Sequence, residues 1–162
     1  MASGKKPRRR GGRSGDGDAI EEMISERLIE GVRPDSSGAH AELRMAEAHL
    51  VSAEQVLESD PTLAYTALYD AARKAISAEM RHRGVRAMGQ TGLHVRTFAY
   101  ARRMFAGLGI DDALGSLERM RRNRHGSEYS VSVITASQVR RDLPHAKAIV
   151  AKVEEVLLAK GL

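Results

Sequence analysis

The chain of 162 residues has no cysteine and no tryptophan. Without thiols there can be no disulfide, no zinc–thiolate site and no cysteine nucleophile, which fits a reducing compartment. Aromatic residues make up only 4% of the chain, against 42% hydrophobic residues of all kinds. The core must therefore come from Ala, Leu, Val, Ile and Met, residues that suit close helix packing better than a sheet. No apolar run approaches the ~18–20 residues that span a bilayer. The basic N-terminus has no apolar stretch behind it, so no secretory signal is expected. The expectation is a cytoplasmic protein with no membrane partner. There is no H-E-x-x-H, no P-loop, no Gly-rich dinucleotide turn and no G-x-S-x-G elbow. The six histidines, His40, His49, His82, His94, His125 and His145, show no metal-ligand spacing. Neither a metal nor a cofactor is expected. Asp111 and Asp112 are adjacent, so on a helix they diverge and match its N-terminal dipole rather than pair on a metal.

Charge is unevenly spread. The net charge of +5 resides in residues 1–17, where Lys5, Lys6, Arg8, Arg9, Arg10 and Arg13 face only Asp16. The remainder is formally neutral. This Gly-rich, aperiodic tail reads as disordered, a linker or solubilising segment that can also hold phosphates by counterion release.

What remains is helical in pattern. Residues 18–37 read as a short helix and linker, with Asp18 as cap, Ile20, Ile24 and Leu28 as the apolar face, and a Gly31/Pro34 stop; it is expected to dock loosely. Residues 38–162 read as the bundle. Leu43, Ala46, Leu50, Ala53 and Leu57 share one face of its first helix. Asp60-Pro61 opens the next, with stripes at Leu63, Ala67, Ala71 and Ala75 and at Tyr65, Tyr69, Ala72 and Ile76; Gly84 ends it. A helix apolar over so much of its girth belongs at the centre of a bundle. A Gly-containing loop over residues 85–94 precedes a third helix, and a fourth starts near Asp111. The run Ser130–Thr135 reads as a loop, since one strand would have nothing to pair with. In the last helix Val139, Leu143, Ala146, Val150, Val153 and Leu157 form a heptad seam. Pro144 predicts either a kink or a start at Asp142. The fold expected is all-α, an up-and-down bundle of four to five helices.

Chemistry concentrates in Arg119–Ser130, "RMRRNRHGSEYS", with four arginines beside a histidine. Guanidinium groups offer pH-independent donors that match phosphate oxygens, and imidazole moves protons near neutrality. Together they can cleave RNA without a metal: a base deprotonates a ribose 2′-hydroxyl while Arg stabilises the phosphorane. The plain alternative is a solvated basic helix end favoured by the dipole. Two other positions draw notice. His94 follows a Gly loop at a helix start, where it can bond backbone or face a cleft. Asp70 lies on the most apolar helix, either paired with Arg73 or Lys74 or planted in a groove of the bundle.

"RRNRHGSEY", at the end of the penultimate helix, resembles the signature of the HEPN family (higher eukaryotes and prokaryotes nucleotide-binding domains): an Arg, often followed by a polar residue such as Asn, then a His four to six positions on, with a Tyr near the end. The upstream "DPTLAYTALYDAARKAISAEMRHRGVRAMGQTGLH" is similar to that family's long Ala-rich helix, most closely in an actinobacterial-type subgroup. The resemblance covers roughly residues 40–160. Two registers compete. One pairs Arg119 with His125 but has Met120 where the polar residue belongs. The other aligns Arg122-Asn123 and Glu128-Tyr129 but has Ser127 in place of the His. The resemblance implies a HEPN-like homodimer acting on RNA, with two readings. One is a metal-independent endoribonuclease of toxin or defence type, in which Arg119 or Arg122 clamps the phosphate and His125 is the acid/base. The other is a catalytically silent module for RNA or a nucleotide, with Arg121, Arg122, Asn123, Arg124, Tyr129 and Asp70 around the site. Its partner would be a nucleotidyltransferase; an antitoxin would be the partner of the first.

Overall fold

The Asp60 carboxylate accepts the Leu63 N–H at 3.0 Å and Pro61 fills the first turn, fixing the start of helix α3 (Pro61–Arg83). Gly84, at φ 76°, ends it in the left-handed conformation, and its N–H bonds the Arg81 carbonyl at 3.1 Å. The computed structural model describes residues 14–129 and 133–162, with side chains for 15–125 and 133–162. In chain order the elements are α1 (Ser14–Ser25), β1 (Ile29–Gly31), α2 (Ser36–Val56), α3, β2 (Val85–Ala87), α4 (Leu93–Met104), α5 (Asp111–Tyr129) and α6 (Ala136–Ala159).

Helix α3 is the central rod and packs against α2, α5 and α6. Its alanines explain how: Ala64, Ala67, Ala71, Ala72, Ala75 and Ala78 are buried, and small side chains let neighbouring helices come close on several sides. Leu68 and Ile76 are fully buried among them, each worth about 2–5 kcal/mol against truncation to Ala. The expected faces of α2 and α6 point inward. Leu43, Ala46 and Ala53 are buried on α2; Val139, Ala146, Val150, Val153 and Leu157 are buried on α6, with Leu143 and Leu50 partly covered. Helix α6 begins at Ala136 behind a Thr135–Gln138 capping box and runs through Pro144, so the expected start at Asp142 is six residues late. Leu63, expected in the α3 stripe, is exposed.

The N-terminal segment departs most from expectation. Helix α1 starts at Ser14, inside the stretch read as tail, and ends at Ser25. Its buried anchor is Met23, while Ile24 is 41% exposed. After Arg27, at φ 58°, the chain turns into β1, which pairs antiparallel with β2 in the register Ile29↔Ala87, Glu30↔Arg86, Gly31↔Val85. The bundle is therefore helical with one two-stranded ribbon. Met23 and Ile29 are fully buried and Arg86 bonds Glu30 across the ribbon at 2.8 Å, so the largely exposed segment 18–37 is anchored to the core at these points rather than docked loosely. Of the Ser130–Thr135 run, Ser130–Ser132 lie outside the described residues, while Val133 and Ile134 have no regular structure. Among the described residues no helix is long and apolar enough to cross a membrane.

Candidate functional site

Successive residues of a helix point 100° apart, so the basic run of α5 divides between two faces. Arg121, Arg124 and His125 fall within an arc of about 100°, and Arg119 and Asn123 project from the opposite side. Leu114, Leu117 and Met120 anchor the helix in the core and fix that rotation.

The first face meets α3 and the start of α4. Tyr69, His94, Arg121, Arg124 and His125 line a cleft of about 300 Å³. Tyr69 comes from the centre of α3. His94 is the second residue of α4, delivered by Gly92, whose left-handed φ of 68° turns the chain into the helix. The Tyr69 hydroxyl and His94 Nδ1 are 2.7 Å apart, and the two rings lie nearly parallel, 9° off, with centroids 5.8 Å apart. Arg124 places its guanidinium carbon 5.4 Å from the Tyr69 ring centroid, a cation–π contact. Arg121 forks onto Glu118 at 2.8 and 3.1 Å, leaving three of its five N–H donors for another partner.

Electrostatics follow from this packing. Partial desolvation, then repulsion from Arg73 and Arg124, lowers the His94 pKa below the ordinary imidazole value, with Asp70 opposing. His94 is thus neutral at pH 7. Burial raises the Tyr69 phenol, against the pull of Arg73, Arg124 and Arg121, so it keeps its proton. The hydrogen bonds from Arg121 hold Glu118 below the usual carboxylate range. Among the described residues no group of three His, Asp or Glu is placed to hold a metal ion.

The second face serves the bundle. Asp142 on α6 is fully buried and accepts from the Tyr65 hydroxyl at 2.7 Å, from Arg119, and from Arg141 at 3.2 Å. Asn123 donates to the same Tyr65 hydroxyl at 3.1 Å. Burial alone would raise the Asp142 pKa, but hydrogen bonds from Arg141, Tyr65 and Arg119 outweigh it and lower it. Burial and the Asp142 carboxylate push the Tyr65 phenol up to about 12.

The expected site residues therefore part company. Arg121, Arg124 and His125 share the cleft; Arg119 reaches Asp142 on α6 and Asn123 reaches Tyr65 on α3. Helix α5 continues past His125, and the Arg119–His125 pairing of the first register is split between faces. Arg122 is 64% exposed and 3.9 Å from Glu118, outside the cleft lining. Asp70 pairs with Arg73 at 3.6 Å beside the cleft. Tyr129 is the last residue of α5, and its side chain lies outside the described residues. His94 faces the cleft, one of the two readings open at its Gly-led helix start, whereas Tyr69, Tyr65 and Asp142 were not foreseen in roles. A glycine turn ahead of His94 was the available signal; the other three look like ordinary members of amphipathic helices. Comparison of the chain with protein-family models, with curated proteins and with solved structures finds no match.

Proposed function

We propose that this is a HEPN-like protein acting on RNA as a metal-independent endoribonuclease. One observation carries the reading: two imidazoles and two guanidiniums line a single cleft, and one imidazole is held by a phenol. The volume lies at the lower end of the ~300–1,000 Å³ typical of small-molecule sites, a size for one sugar–phosphate unit. Arg121 and Arg124 take the scissile phosphate, replacing the expected Arg119 and Arg122. His94, neutral at pH 7, is the base. In its Nδ1–H tautomer it donates to the Tyr69 oxygen and presents the Nε2 lone pair to the ribose 2′-hydroxyl. The 2′-oxygen attacks phosphorus, the P–O5′ bond breaks, and His125 delivers a proton to O5′. The products are a 2′,3′-cyclic phosphate and a 5′-hydroxyl end. Arginine donors gain strength as negative charge builds on the phosphorane.

The second reading, a silent RNA- or nucleotide-binding module, is favoured by Arg119 and Asn123, half of the motif, being engaged inside the bundle. Incubation with RNA in EDTA separates the two. The nuclease produces cyclic-phosphate termini detectable by mass spectrometry and spares RNA with 2′-O-methyl groups. His94→Ala and His125→Ala each slow it by about 10²–10⁴. Intact RNA after prolonged incubation with the wild-type protein refutes the nuclease; RNA retardation that weakens in Arg121→Ala then establishes the binding module.

A further inference from the structure

The cleft is one end of a longer path. Past His94 and Arg121 it narrows to a crevice of about 10 Å³ that also touches Arg73 and Thr97. Those two residues in turn line a groove of about 490 Å³ between the β1–β2 ribbon, α3 and α4. Each space shares side chains with the next. Helix α3 forms the common floor, because Tyr69, Arg73, Ser77 and Arg81 recur every four residues and so follow one side of the rod. At 1.5 Å per residue they span about 18 Å.

The chemistry along this rail suits a nucleic-acid strand. Arg73 is half-buried at the junction, one helical turn from Tyr69, and its only carboxylate partner among the described residues is Asp70 at 3.6 Å. Arg33, on the wall formed by the chain leaving β1, makes no ion pair among the described residues. Arg81 is already held by Asp35 at 3.1 Å and Glu42 at 3.2 Å, and Arg86 by Glu30, so these two shape the groove rather than bind phosphate. Between the arginines lie apolar Met80, Val85 and Leu93, against which a base can rest.

We infer that the groove is a second subsite, which takes the nucleotides flanking the scissile one in a single-stranded RNA, with Arg73 and Arg33 on their phosphates. The inference rests on the cleft being the RNA site. The crevice between the two spaces holds no more than a water-sized guest, so the strand crosses over its mouth along Arg73 rather than through it, and a 300 Å³ cleft sized for one sugar–phosphate unit demands a single strand. At ~3.4 Å per stacked nucleotide the rail holds about five, and fewer if the strand is stretched.

Fluorescence anisotropy with uncleavable 2′-O-methyl oligouridines of two to ten nucleotides tests this apart from any cleavage. Affinity is expected to climb with length and level off at about five or six nucleotides. Arg33→Ala and Arg73→Gln each weaken the decamer by about 5- to 10-fold, lower the log–log salt slope by about 0.7, and leave the dinucleotide unchanged. Arg73→Lys retains most of the decamer affinity and controls for folding at this half-buried position. Length-dependent binding lost in Arg33→Ala, with no cleavage of ordinary RNA by the wild type, upholds the groove and refutes the nuclease. Equal affinity for dinucleotide and decamer, or a decamer indifferent to both substitutions, overturns the groove, and cleavage of an unmodified dinucleotide would still leave the cleft chemistry standing.

Discussion

Asp142 is the residue whose loss is most readily turned into a number. Its carboxylate is fully buried and takes hydrogen bonds from Tyr65, Arg119 and Arg141. The Tyr65 hydroxyl is equally buried, and a buried hydrogen bond to a charged acceptor is worth about 1.5–3 kcal/mol. The arginine side chains are 37% and 51% exposed, so solvent screens them and each adds ~0.5 kcal/mol. Asp142→Ala should therefore cost about 3 kcal/mol. With a urea m-value of ~2 kcal/mol/M, the unfolding midpoint followed by circular dichroism falls by about 1.5 M. Asp142→Asn keeps an acceptor for Tyr65 and loses the charge, so its midpoint falls by ~0.5 M. The sign with pH is fixed too. The folded pKa lies below the unfolded value of ~3.9, so the charge contributes stability above that pH and loses it as pH falls through the folded pKa. The gap between wild type and Asp142→Asn should be constant from pH 5 to 8 and close below pH 4. A midpoint shift under 0.3 M for Asp142→Ala, or a gap that does not narrow as pH falls from 5 to 2, would falsify the assignment of Asp142 as an ionised hub.

Three further outcomes follow from the same structure. Glu79, fully buried between Tyr100, Arg83 and Lys160, should cost about 3 kcal/mol as Glu79→Ala, measured by urea unfolding, since the partners lose a buried acceptor; a cost below 1 kcal/mol contradicts this. Gly84→Ala should lose about 2 kcal/mol or more in the same assay, because φ is 76° and a Cβ would stand 2.7 Å from Pro34 Cγ and the Val32 carbonyl oxygen. In an NMR titration His94 should ionise below the ordinary imidazole value, and Arg124→Ala should raise it; an unmoved or falling pKa in that variant shows that the guanidinium is not felt at the ring.

The helices were legible because their signals are local. Asp60-Pro61 and Gly84 bracket α3, and the α6 seam repeats over five turns, so each could be read within one window. The ribbon was not. Three residues are too few for a period of two to emerge, and Ile29 finds Ala87 only after two helices intervene. Helix α1 was misphased for a related reason, since its packing on β1 and on α4, which comes from far along the chain, places Met23 inward and leaves Ile24 outward. At the site, residue types were legible and partners were not. Spacing alone separates Arg119 from Arg121, but which side of α5 meets the cleft depends on Tyr69 and His94, contributed from elsewhere in the chain. Asp142 carried no mark of burial in its neighbourhood, "RRDLPH".

The ribbon has a mechanical corollary. Strand β1 precedes α2 and strand β2 follows α3, so their pairing buckles together the open end of the helical hairpin, opposite its tight Leu57–Asp60 bend. Val85, Arg86 and Ala87 of that buckle are also groove wall. Any guest pressed against the wall must therefore fasten the hairpin more firmly, and by reciprocity a hairpin that springs open gives up its guest.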